Sequence, residues 1–187
     1  MPHTLIGLEV TGSLLFYTAS DLARDLARNR ASHDLPPPFC AIYLDRGNIE
    51  RAKLGVRYGA EAFFQLLQMP VEGSYIFRPA LLLDELQGLE PIIVSGEDLW
   101  QEAIGLRMEL EEYLEIFPNL LAQIELCSEE LKWEDKTTLG LADAIWNLLQ
   151  PDSDLAILLA KSPCCNAKTY RILTLLLSTG QIRLEEE

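Results

Sequence analysis

The spacing of apolar and polar positions changes period several times along this 187-residue chain, and each change marks a new element. Residues 5–17 are apolar and β-branched around Gly7 and Gly12, which predicts one or two short strands. In residues 18–29 the period lengthens: Leu22, Ala23, Leu26 and Ala27 share one helical face, and Thr18 or Ser20 can cap its start. Pro36-Pro37-Pro38 can join neither a helix nor a central strand and predicts an extended connector. Residues 39–44 form a short apolar strand, and Asp45-Arg46-Gly47-Asn48 supplies the turn into a second strand from Ile49, making a hairpin.

Gly55 and Gly59 bracket the next turn, after which Ala62, Phe63, Leu66 and Leu67 form a helical stripe in residues 60–68 that Pro70 ends. Glu72-Gly73 predicts a further turn, and residues 74–78 alternate as a strand. Gly47, Gly55, Gly59 and Gly73 are therefore the expected turn glycines, and residues 1–90 the expected small α+β module.

Ser95, with Asp98 three residues on, is a capping-box signature for a helix to about residue 117. Leu99, Ala103, Leu106, Leu110, Tyr113 and Phe117 alternate four and three apart, a heptad seam shorter than a free-standing coiled coil needs. Trp100, Ile104 and Met108 widen the apolar surface beyond the seam. Two readings compete: the seam packs on the chain's own modules, or it meets a partner or a second copy. Under the second reading the interaction candidates are Leu99, Trp100, Leu106, Leu110, Tyr113 and Phe117. Three helical patterns follow, over residues 139–149, 153–161 and 166–178; Gly180 stops the last, and residues 181–185 read as a strand. This succession resembles a reduced winged helix. The expected organisation is α+β throughout: residues 1–90, an acidic helical connector over 91–120, and a winged-helix-like module over 121–187.

Charge narrows the class of partner. Residues 81–135 carry two basic and fifteen acidic side chains, most of the net charge of −14. Such a segment repels phosphate backbones and anionic lipid and suits a basic protein surface, unless most of its carboxylates simply solvate exposed helix faces. Within the 95–117 helix, Glu102, Glu109, Glu111, Glu112 and Glu115 surround one basic residue, Arg107, which disfavours a parallel homodimer and favours an antiparallel or heterotypic contact. The presumed recognition helix offers only Lys168 and Arg171, so DNA contact is the lesser expectation. No apolar run reaches a membrane-spanning length, and the first residues lack the basic start of a signal peptide, so a cytoplasmic location is expected.

Chemistry-bearing motifs add little. The chain has no P-loop, G-x-G-x-x-G, H-E-x-x-H or G-x-S-x-G pattern. Cys40, Cys127, Cys164 and Cys165 lack C-x-x-C spacing and read as reduced thiols, while His3 and His33 would have to converge with distant cysteines to hold zinc. No catalytic residue, metal site or cofactor is expected.

One stretch is more specific. Ile42-Tyr43-Leu44-Asp45-Arg46-Gly47-Asn48-Ile49, Ala52-Lys53-Leu54-Gly55, Gly59-Ala60-Glu61-Ala62-Phe63 and Gly73-Ser74-Tyr75-Ile76-Phe77 resemble, in order and spacing, the PATAN domain family (DUF4388). The resemblance continues through the 99–117 helix into the winged-helix-like end. It implies a bacterial signalling module, often fused to receiver or other regulatory domains and associated with differentiation and surface motility, and it does not imply an enzyme. Where family members have a short Thr-Gly turn after the first helix, this chain has residues 30–35 and three prolines. The expected function is a non-enzymatic adaptor or regulator acting through protein contacts. The alternative is a transcriptional regulator that binds DNA through the C-terminal module.

Overall fold

Strand-forming runs at 12–18, 40–45 and 48–54 fold as consecutive antiparallel neighbours; a two-residue turn joins the second to the third, while residues 19–39 separate the first from the second. The computed structural model describes residues 9–20, 37–69, 73–149 and 154–185. β1 (Gly12–Thr18), β2 (Cys40–Asp45), β3 (Asn48–Leu54), β4 (Arg57–Tyr58) and β5 (Gly73–Pro79) form one antiparallel sheet in the order β4-β3-β2-β1-β5. Arg46 and Gly47 both have positive φ (48° and 80°) between the paired Asp45 and Asn48, as a type I′ hairpin turn requires. Gly55 has φ 58° at the first position of the two-residue link to β4, a short strand the periodicity did not reveal.

Gly73 differs from its expected role. It opens β5 opposite Thr18, and a β-carbon there would lie 2.1 Å from the Tyr17 carbonyl oxygen. Glycine is needed because two backbones approach closely, and most of the expected turn lies outside the described residues. The predicted helix over 18–29 lies outside them too beyond Ser20, as do residues 30–35.

β1 is an interior strand, between β2 and β5, and is buried from Gly12 to Tyr17. On one face Leu15, Tyr17 and Ala41 meet Leu86 from α2 (Asp84–Gln87), with Leu82, Leu83 and Leu89 around it. α1 (Gly59–Gln68) lies against β3, β2 and β4 and buries Ala62, Phe63, Phe64 and Leu66. Lys53 and Glu85 close one side with a 2.5 Å ion pair.

α3 (Gly96–Ile116) starts at Ser95, whose Oγ accepts from the Asp98 backbone N–H at 3.2 Å and donates to Asp98 Oδ2 at 2.6 Å. This departs from a capping box, in which the third residue's side chain would reach back to a backbone N–H. The chain divides into two compact units between Ala103 and Ile104, inside this helix and inside the 91–120 segment.

The second unit combines the latter part of α3 with β6 (Gln123–Leu126), α4 (Leu139–Trp146), α5 (Leu155–Lys161), α6 (Asn166–Ser178) and β7 (Ile182–Glu185). β6 pairs antiparallel with β7, so the terminal strand has a partner that local pattern did not reveal. Tyr170 of α6 lies between Tyr113 and Phe117, with ring centroids 6.3 and 5.2 Å away. Asp154 caps α5 by accepting from the Ile157 N–H at 2.7 Å. Ser162, Cys164 and Thr169 form a buried cluster in which Ser162 and Thr169 hydroxyls are 2.7 Å apart. The second unit thus combines three helices after α3 with one antiparallel β-pair, and a further strand that would complete a wing is not present among its described residues.

Candidate functional site

The seam of α3 turns inward. Leu99, Ala103, Leu106, Leu110 and Phe117 are buried, Tyr113 is half-buried against Tyr170, and Trp100 is half-buried with its ring edge-on to Phe63 at 5.1 Å. The six interaction candidates therefore sit within the chain's own packing: Leu99 and Trp100 in the first unit, Leu106, Leu110, Tyr113 and Phe117 in the second.

Residues off the seam point outward. Ile104 and Met108 are 56% and 66% exposed, a large fraction for apolar side chains one helical turn apart. Glu111, Glu112 and Glu115 continue the same stripe and are exposed. The sequence carried the signal: positions 104 and 108 fall about half a turn from the seam, so a buried seam places them in solvent. Glu109 lies on the flank, and its carboxylate accepts from the Arg171 guanidinium, a contact that raises the arginine pKa further.

A cleft of about 550 Å³ opens in the second unit beside residues 127–135 and is lined by Cys127, Lys132, Trp133, Asp135, Leu175 and Gln181. Its polar groups hold the loop together. Gln181, buried, accepts from the Lys132 N–H at 2.6 Å and donates to the Lys132 carbonyl at 2.9 Å, imitating a strand neighbour. Asp135 accepts from the Thr137 N–H (2.9 Å), the Thr137 hydroxyl (2.6 Å) and the Thr138 hydroxyl (2.7 Å), bonds that hold its carboxyl below the usual range. The Trp133 indole donates to Thr138 at 3.0 Å. Asp135-Lys136-Thr137-Thr138 is the sequence signal for this turn, since a short acid two residues before a threonine favours such local bonds.

None of the four cysteines is joined in a disulfide: Cys127 is exposed, while Cys40, Cys164 and Cys165 are buried. Burial, reinforced by nearby Glu85, pushes the Cys40 thiol up to about 12. Among the described residues no group of three or more His, Cys, Asp and Glu side chains could hold a metal ion, and no helix is long and apolar enough to cross a membrane. Comparison with known proteins found no matching family model, no matching curated protein and no matching solved structure.

Proposed function

We propose that this chain is a non-enzymatic signalling adaptor or regulator that works through protein contacts in the bacterial cytoplasm, as its resemblance to the PATAN domain family implies. One observation carries the reading: the fold consumes the seam of α3 internally, yet leaves Ile104 and Met108 in water beside acidic side chains. Exposed apolar groups with a polar border are characteristic of surfaces that meet other proteins. The polar groups of the cleft, by contrast, are engaged in holding their own loop.

The competing reading, a transcriptional regulator, would use α6. There Arg171 is bonded to Glu109, and the acidic surroundings oppose the phosphate contacts that supply sequence-independent affinity.

The test is affinity purification of the tagged chain from its native host, identification of retained proteins, and reconstitution of each complex from purified components. Saturable binding of one such protein at micromolar strength or tighter supports the adaptor. Duplex DNA retained at physiological salt, released steeply as salt rises and lost in the K168A/R171A variant would replace it with the regulator.

A further inference from the structure

We infer that the outward face of α3 in the second unit, Ile104 and Met108 bordered by Glu111, Glu112 and Glu115, docks a cationic amphipathic helical segment of another protein. The inference rests on the adaptor reading and specifies its surface and partner.

The stripe runs opposite the buried seam. Steps of four, three and four residues link Ile104, Met108, Glu111 and Glu115, with Glu112 beside them, over a length of about 16 Å, or three helical turns. Apolar contact sits at one end of the stripe and negative charge at the other.

That charge disfavours the helix that carries it. Glu111, Glu112 and Glu115 occupy the C-terminal part of α3, where the helix dipole is already negative, and its last turn has no basic residue. Glu111 and Glu115, four apart, also repel each other. Among the described residues none of the three carboxylates makes an ion pair, whereas Glu109 of the same helix holds Arg171. Arg107, one turn before Glu111, is the single basic residue the helix itself sets near these three carboxylates, and so great an excess of negative charge points to compensation from outside. Lysines or arginines of a docked partner would offset both the repulsion and the dipole.

Gly105, half-buried, is a separate observation at the border of this face. It lies inside a helix, where glycine is unfavourable, and a β-carbon there would meet nothing within 4 Å. Internal packing therefore does not demand its absence. A bare backbone beside Met108 lets a second helix approach closely.

Charge decides between occupants. A second copy would set acid against acid if parallel and carboxylates against the apolar pair if antiparallel, and Arg107, the single basic residue of α3, offsets neither. Nucleic acid and anionic lipid are repelled in the same way. A helix with apolar residues at i and i+4 and flanking lysines or arginines matches both ends of the stripe.

The experiment uses the full chain and a fluorescent peptide of roughly 14 leucines and lysines with leucines at helical spacing, next to an equally charged peptide with serine for leucine. At about 0.15 M salt, micromolar binding of the leucine peptide and at least about tenfold weaker binding of the serine peptide are expected. The I104S/M108S variant, changed only at exposed positions, should stay folded by circular dichroism and lose about tenfold in affinity with its salt dependence intact. The E111Q/E112Q/E115Q variant should lose a similar factor and flatten the salt dependence. Undetectable binding, or equal binding by wild type and both variants, overturns the inference. The reconstituted cellular partner separates the two claims. If I104S/M108S leaves its affinity unchanged, this docking face is wrong and the adaptor reading stands. If the peptide requires these residues while no cellular protein is retained, the docking face stands and the adaptor reading fails.

Discussion

Replacing Gly73 by alanine places a methyl group 2.1 Å from the Tyr17 carbonyl oxygen, where ordinary contact needs more than an ångström of additional room. Thr18 and Gly73 are the last pair of the ladder that joins β1 to β5, and β2 holds β1 on its other side as far as Phe16. Relief comes from opening the ladder end. Losing two ladder bonds at about 1 kcal/mol each, and exposing the rings of Phe16 and Tyr75 that meet there at 6.3 Å, costs roughly 3 kcal/mol. Loss of glycine freedom in the unfolded chain returns about 0.4–1 kcal/mol, leaving a net destabilisation of about 2 kcal/mol.

Gly55→Ala is the matched control. Its φ of 58° is left-handed, but a β-carbon there meets nothing within 4 Å. Only the conformational cost of about 1–2 kcal/mol applies, less the same unfolded-state gain, for a net of roughly 1 kcal/mol or below. Guanidinium unfolding followed by Trp100 emission in a W133F/W146F background reads the first unit, since Trp100 packs on Phe63 there. Gly73→Ala should shift the midpoint about twice as far as Gly55→Ala, at an unchanged m-value. Equal shifts, or a Gly73→Ala protein as stable as the wild type, would refute the close-approach argument.

The seam admits an equally direct test, because Leu106 and Leu110 are only 3% and 8% exposed: changing both to glutamate should abolish cooperative unfolding of the second unit, at a cost of several kcal/mol. A folded variant that loses only a partner would instead make the seam a docking surface. Asp135, with its pKa lowered by the Thr137 and Thr138 hydroxyls, contributes stability present above its unfolded pKa of about 3.9 and lost as pH falls through the lower folded value. Emission from Trp133 in a W100F/W146F background should accordingly hold from neutral pH to about 4 and change below it, and D135A should show the altered emission already at pH 7; a flat titration to about pH 2 would remove Asp135 as the organiser of the loop. Ellman's reagent at about pH 8 should modify one thiol rapidly, Cys127, and the other three only on unfolding, because burial holds Cys40 protonated and encloses Cys164 and Cys165. Rapid modification of the C127S protein would contradict this packing.

What the residues determined by themselves was local. The Asp45-Arg46-Gly47-Asn48 hairpin, the stripe that became α1, the Ser95 start of α3 and the stop at Gly180 depend on turn chemistry and periodicity within a few residues, and those forces act before any distant partner is present. The sequence also carried both candidate uses of α3, since a seam and an off-seam apolar pair are visible together. Which of them faced inward could not be decided there, because a stripe specifies that a side is buried and not what covers it. Tertiary structure decided that through neighbours far along the chain: Phe63 beside Trp100, and Tyr170 between Tyr113 and Phe117. The same holds for the strand order that sets β1 between β2 and β5, for Gly73 against Tyr17, for β6 pairing with β7, and for Gln181 clasping Lys132. Each is a contact between residues tens of positions apart, whose loop-closure entropy is offset only by many such contacts forming together, and no local window contains that sum.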